Sequence, residues 1–192
     1  LFGMPDQVRA FATLGRYHEI EVEDDVTAYF QYRDGTTGVF ITSTGEAPGT
    51  NRLEVAAERG KVILEDGKFS YTRNEIPTSE FSRSTTEPFG RPATWDVSIP
   101  IHGNGTQHNG IILNFVEAIL DGKPLLAPAA EGIHSVELAN AMLLSSFAQE
   151  TVSLPLDGVR YEKLLRHRIA ESKTKTVVSP SPVADLSKSF NT

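Results

Sequence analysis

The residues best placed for chemistry lie in a loop that holds Arg91 and Trp95. The stretch 80–95 concentrates arginine, glutamate and tryptophan side chains without any periodic pattern. Arginine and tryptophan beside a cleft are typical of sites that bind polyhydroxylated ligands, and an ordinary surface loop is equally compatible with this composition. We therefore predict Arg91 and Trp95 as candidate substrate-binding residues, with a plain surface role as the alternative.

His108 is the third candidate because it lies where a helix is expected to begin. The dipole of a helix favours a neutral imidazole at its N-terminus. A neutral imidazole can hydrogen-bond a substrate hydroxyl, so His108 is predicted to bind substrate. The alternative is that His108 caps the helix or bonds the loop before it.

Several kinds of site are excluded. The sequence has no cysteine, which removes disulfides, thiolate nucleophiles and cysteine-based zinc sites. The five histidines show neither HxH nor HExxH spacing, so no metal site is predicted. The glycine-rich stretch HGNGTQHNG, residues 102–110, lacks the lysine of a phosphate loop. We expect its glycines to serve turns, and we expect no cofactor to bind this chain in the Rossmann manner.

Composition predicts an ordinary soluble domain. The 192 residues are 39% hydrophobic and 22% charged, with a formal net charge of -7. That negative balance argues against a nucleic-acid partner, and no apolar run approaches the ~20 residues of a membrane span. A cytoplasmic location fits the lack of cysteine. We predict one domain over residues 1–172 and a disordered tail over residues 173–192.

The first two-thirds of the chain has the alternation of β-strands. Residues 26–44 alternate on either side of Asp34-Gly35, which indicates a tight hairpin. Three further strands are predicted at 52–57, 61–65 and 68–73, joined by short turns. The stretch 74–92 is predicted to be a long surface connection, and residues 93–101 another strand.

The last third changes to helical spacing. Helices are predicted over 108–121, ending at Gly122, over 131–149 and over 161–169, with a short strand at 152–156. Strands first and helices after indicate an α+β fold. We expect one open, largely antiparallel sheet with helices packed on one face. The other face is then available for subunit association.

Four segments taken in order carry a resemblance to a known family. They are LFGMP, EDDVTAYFQYRDGTTGVFITSTGEAPGTNRLEV, HNGIILNFVEAILDGKPLLAPAAEG and ELANAMLLSS. Together they are similar to the C-terminal domain of the Gfo/Idh/MocA-type oxidoreductases, the relatives of glucose–fructose oxidoreductase and inositol dehydrogenase. The resemblance extends from Leu1 to about Ser172.

The resemblance implies an enzyme in two parts. An N-terminal Rossmann domain would bind NAD or NADP, and the present domain would shape the site for a sugar or polyol substrate and form the interface of a dimer or tetramer. The family's catalytic lysine lies in a Lys-Pro motif of the Rossmann domain. Its catalytic histidine, with an aspartate companion, lies on a helix that runs into a segment like Leu1–Pro5.

None of those catalytic residues is present in the 192 residues. The resemblance therefore implies no catalytic residue in this chain, no cofactor bound to it, and no dehydrogenase activity without its cofactor domain. The alternative function is a non-catalytic interaction module that associates through its open sheet. A weaker third possibility is a free-standing carbohydrate-binding domain.

Overall fold

The computed structural model describes residues 2–100 and 106–173. Within them the strands are β1 (Gln7–Leu14), β2 (Glu23–Gln31), β3 (Thr37–Ser43), β4 (Arg52–Ala57), β5 (Gly60–Glu65), β6 (Lys68–Asn74), β7 (Thr94–Val97) and β8 (Val152–Ser153). The helices are α1 (Thr78–Ser84), α2 (Gln107–Asp121), α3 (Gly132–Ala148) and α4 (Gly158–Glu171). The predicted α+β class is confirmed.

These elements form two compact units, one from residues 2–44 and 133–173 and the other from the described part of 45–132. Each unit has its own antiparallel sheet of four strands, so the strands form two sheets where one was expected. The single domain over 1–172 stays a prediction. Apart from Lys173, the predicted tail lies outside the described residues.

The first unit is built on the hairpin that the alternation predicted. Its sheet has the order β3-β2-β1-β8, and β2 pairs with β3 across the turn at Asp34 and Gly35. Gly35 has a φ of 87°, a conformation that favours glycine, and the Asp34 carboxylate accepts the Thr36 N–H at 2.9 Å.

The core of this unit lies between one face of the sheet and α3. Val8, Ala10 and Ala28 are buried against Ala141 and Leu144. The small alanine side chains on both sides permit close approach of the helix to the strands. The opposite face of the sheet is not covered by α3.

The edge of β1 is completed by two serines of α3. Strand β8 pairs with β1 only at Gln7 and Val8. Further along β1, the hydroxyl of Ser145 accepts the Ala10 N–H at 2.9 Å, and that of Ser146 accepts the Ala12 N–H at 2.8 Å. Ser145 also donates to the carbonyl of Glu150 at 2.6 Å. Side chains of a helix thus replace a strand as hydrogen-bond partners of the backbone.

The second unit contains the three predicted strands joined by short turns, and its sheet has the order β4-β5-β6-β7. Register places most of the apolar residues on one face of this sheet: Leu53, Val55, Val62, Leu64, Phe69, Tyr71, Trp95 and Val97. The other face carries ion pairs, such as Arg52 with Glu65 at 2.6 Å and Lys61 with Glu54 at 3.3 Å. The sheet of the second unit thus has one mainly apolar and one mainly charged face.

Several element boundaries differ from the predictions; β7, for example, is Thr94–Val97 where a strand over 93–101 was expected. The stretch 74–92 contains α1. In its first turn the Ser79 N–H donates to the Glu58 carboxylate at 2.9 Å. This contact spans 21 residues, so no local pattern reveals it. Strand β8 has two residues rather than five, and Pro155 has no N–H to extend a ladder. Helix α4 is longer than predicted because Asp157 caps it, accepting the Arg160 N–H at 3.0 Å.

Candidate functional site

The uncovered face of the first sheet is an apolar surface. Pairing aligns Arg9 with Tyr29 and Tyr29 with Val39, while Phe11 and Ile41 both face Thr27. The side chains of Phe11, Val39 and Ile41 are 63%, 66% and 69% exposed. We call the surface formed by Arg9, Phe11, Thr27, Tyr29, Val39 and Ile41 the open face. Contiguous exposed apolar surface of this kind commonly marks a protein–protein contact.

Asp24, at the start of β2, organises the loop of residues 15–22. Its side chain is fully buried and accepts the backbone N–H groups of Arg16 at 2.9 Å, Tyr17 at 2.7 Å and His18 at 3.1 Å. Burial raises the pKa of the Asp24 carboxyl, but these donors together outweigh it and hold the pKa below its ordinary value of 3.8. The folded loop therefore favours an ionised Asp24.

This arrangement predicts a contribution of Asp24 to acid sensitivity. A carboxyl whose pKa is lower in the folded than in the unfolded state stabilises the fold above its unfolded pKa, and that stability is lost as the pH falls through the folded value. Asp24→Asn is expected to lower the melting temperature at neutral pH and to flatten its decline below about pH 4. Thermal unfolding followed by circular dichroism measures both effects.

The control for this experiment is Asp66→Asn, which removes the same charge at an exposed turn. Its melting temperature at neutral pH, and the decline of that temperature in acid, are expected to be close to those of the unmodified chain. The prediction would be contradicted if the melting temperatures of the Asp24 variant and the unmodified chain declined equally in acid.

The loop held by Asp24 forms one wall of a cavity within the first unit. The cavity has a volume of about 490 Å³ and also contacts α3 and α4. Its walls are mainly apolar, with Leu14, Ile20, Val22, Leu143, Leu164 and Ile169 among them. Its polar lining residues are Tyr161, Ser172 and four charged residues, Glu21, Glu23, Arg168 and Glu171. We call this space the α3–α4 cavity.

The three residues predicted to bind substrate lie in the second unit. Trp95 is in β7 and is 48% exposed, and Arg91 is in the exposed loop before it. The guanidinium over the Trp95 ring, 5.1 Å from its centroid, is that of Arg73. His108 lies in the first turn of α2, which confirms its predicted place at the start of that helix. Substrate binding by these residues stays a prediction.

Sequence reasoning did not find the α3–α4 cavity. A run of basic residues on a helix usually forms a solvated face, and Arg166 fits this pattern because it pairs with Glu162 at 2.6 Å. Arg168 instead lies over the Phe147 ring at 4.5 Å and lines the cavity. The signal was the spacing of Tyr161, Leu164 and Arg168 on one side of α4.

The sheets of the described residues differ from the sheet of a Rossmann domain. Strand pairing is antiparallel in both sheets, so residues 2–100 and 106–173 contain no parallel strand–helix–strand unit of the kind that places a phosphate at a helix N-terminus. Over the same residues there is no group of three potential ligands that could hold a metal ion. No helix among them is long and apolar enough to cross a membrane.

Known structures share this fold. WlbA dehydrogenase from Bordetella pertussis, solved with NADH and UDP-GlcNAcA, matches with a TM-score of 0.57 and 19% identity over 81% of this chain and 40% of its own. WlbA from Chromobacterium violaceum, solved with the same two ligands, matches with a TM-score of 0.60 and 22% identity over 82% of this chain and 42% of its own.

A third similar structure is the aldose–aldose oxidoreductase from Caulobacter crescentus complexed with glycerol. It matches with a TM-score of 0.57 and 18% identity, over 79% of this chain and 42% of its own. The present chain thus spans about two-fifths of the length of these proteins. No curated protein sequence matches the chain.

The family assignment comes from the sequence itself. A family described as "Oxidoreductase family, C-terminal alpha/beta domain" matches residues 1–154, which is most of the chain. The similar solved structures agree with it in fold. The chain therefore belongs to the Gfo/Idh/MocA oxidoreductase family and carries its C-terminal α/β domain.

Proposed function

We propose that this chain is the substrate-binding and oligomerisation domain of an NAD(P)-dependent oxidoreductase that acts on a CH–OH group of a sugar or polyol. The match to the family's C-terminal domain over residues 1–154 carries the proposal. The dehydrogenases of similar fold were solved with NADH and UDP-GlcNAcA, and the aldose–aldose oxidoreductase with glycerol. These ligands favour a substrate rich in hydroxyl groups.

Within this proposal the two units have different tasks. The second unit presents Trp95, Arg91 and His108 to substrate, offering an aromatic surface, a cation and an imidazole for hydroxyl groups. The first unit associates with another copy through the open face, giving a dimer or tetramer. NAD or NADP binds to a Rossmann domain that the described residues do not contain, in a cytoplasmic enzyme.

The proposal predicts that the chain alone does not bind a dinucleotide. Isothermal titration with NADH and with NADPH is expected to give no binding heat up to about 1 mM, since the described residues offer no fold for the pyrophosphate. Dehydrogenase activity is expected to be absent as well. A micromolar dissociation constant for either cofactor would overturn this part of the proposal.

Self-association is tested separately by sedimentation velocity, where a dimer or tetramer is expected and a monomer at every concentration would contradict the role of the open face. An interaction module that is not an enzyme predicts the same sedimentation result. The reading frame upstream of Leu1 distinguishes the two, because a GxGxxG stretch and a Lys-Pro motif in frame support the enzyme.

A further inference from the structure

The α3–α4 cavity has the size and surface of a ligand site. Its volume of about 490 Å³ lies within the range of small-molecule pockets, ~300–1,000 Å³. Apolar walls with a few convergent polar groups are the usual composition of such pockets. The cavity shares no residue with the open face or with the predicted substrate residues, so it is independent of the function proposed above.

The cavity is partly open to solvent, since Val22 and Ile169 of its lining are more than half exposed, and its walls come from one unit. Its loop wall is fixed by the bonds that Asp24 accepts from Arg16, Tyr17 and His18. Glu21, in the same loop, accepts hydrogen bonds from the Lys173 N–H at 3.0 Å and from the Ser172 hydroxyl. These two bonds join the loop to the end of α4. The walls therefore exist before any ligand binds, which reduces the ordering cost of binding.

The charges on the cavity lining favour a cation. Carboxylates come from Glu21, Glu23 and Glu171, and the only guanidinium is that of Arg168, which lies over the Phe147 ring. An anionic ligand would therefore meet three carboxylates and one cation. A positively charged group would be attracted by the same set.

Glu23 and Tyr161 mark where that charge would sit. Both side chains line the cavity, and burial together with the nearby charge of Glu23 raises the pKa of the Tyr161 phenol. The Glu23 carboxylate and the Tyr161 hydroxyl oxygen can both accept hydrogen bonds from an ammonium group. Leu14, Leu143 and Leu164 remain available to cover an apolar body.

We propose that the α3–α4 cavity binds a hydrophobic amine, a small molecule with an apolar or aromatic body and one ammonium group that pairs with Glu23 and Tyr161. The apolar walls supply affinity and the lining carboxylates supply selectivity over acids of the same shape.

The test titrates the full chain calorimetrically with three probes of matched shape: phenylpropylamine, phenylpropanol and phenylpropanoate. At neutral pH the amine is expected to bind with a dissociation constant below about 1 mM, and at least about tenfold more tightly than the acid. Failure of the amine to bind, equal affinity for the three probes, or preference for the acid would each overturn the proposal.

Variants test the assigned positions. Glu23→Gln is expected to weaken amine binding about tenfold and to leave the alcohol unaffected, as for the loss of one charge-assisted hydrogen bond. Val22→Trp is expected to fill the cavity from its rim and abolish binding of all three probes. Thermal unfolding confirms that each variant is folded.

The matched control is Glu162→Gln, which removes the same charge from α4 at a residue that does not line the cavity. It is expected to bind the amine as the unmodified chain does. An equal loss of amine affinity in the Glu162 and Glu23 variants would assign the effect to overall charge and overturn the proposed site.

Discussion

Ser145→Ala is expected to lower the free energy of unfolding by about 2–3 kcal/mol, although it removes a single oxygen atom. The Ser145 side chain is fully buried, at 0% exposure, and its hydroxyl bonds the Ala10 N–H and the Glu150 carbonyl. An alanine at this position leaves a buried donor of β1 without its partner. An unsatisfied buried group of this kind costs ~1–3 kcal/mol. Urea unfolding followed by circular dichroism measures the change.

Two companion variants make this result specific. Ser135→Ala is an exposed substitution on the same helix and is expected to change stability by less than about 0.5 kcal/mol. Ser146→Ala removes the partly buried hydroxyl that bonds Ala12 and is expected to cost about 1 kcal/mol. The proposed role of Ser145 fails if its variant is no less stable than the Ser135 variant.

Ile41→Lys is expected to weaken self-association at least about a hundredfold. Ile41 is 69% exposed on the open face. It pairs with Thr27 of β2 and lies two residues from Val39 on the same side of β3. A lysine there would place an ammonium group in an apolar contact, and a two-fold symmetric contact would contain the substitution twice. Sedimentation velocity over a range of concentrations is expected to show a monomer where the unmodified chain is a dimer or tetramer.

The control is Val159→Lys, which makes a comparable change at an exposed residue of α4, away from the open face. Its sedimentation is expected to match that of the unmodified chain. If both variants dissociate alike, the cause is the added charge rather than the open face. If neither dissociates, the assembly uses another surface.

Much of the fold was predictable because the strands carry local signals. The turns at Asp34-Gly35 and Asp66-Gly67 fall between alternating segments, and the positive φ angles at Gly35, Asp66 and Gly67 are the geometry that those residue types permit. The end of α2 at Gly122, with a φ of 68°, is a signal of the same kind. These features depend on a few neighbouring residues, which a sequence displays directly.

Features that depend on distant contacts were not predictable. The hydrogen bonds of Ser145 and Ser146 to Ala10 and Ala12 span 135 and 134 residues, so no local pattern displays them. The α3–α4 cavity combines a loop near residue 20 with helices that begin more than a hundred residues later. A periodic pattern shows which residues are apolar. It does not show where the packing of a loop against two helices leaves a cavity.

The serine hydroxyls at the edge of β1 also bear on aggregation. A strand with free N–H and C=O groups at its side recruits strands from other molecules, and repeated recruitment at two opposite sides of a sheet builds fibres. Here the β1 side ends in a two-residue strand, and Ser145 and Ser146 already occupy the groups beyond it. Strand addition on the β1 side of this sheet is therefore limited to the two residues of β8.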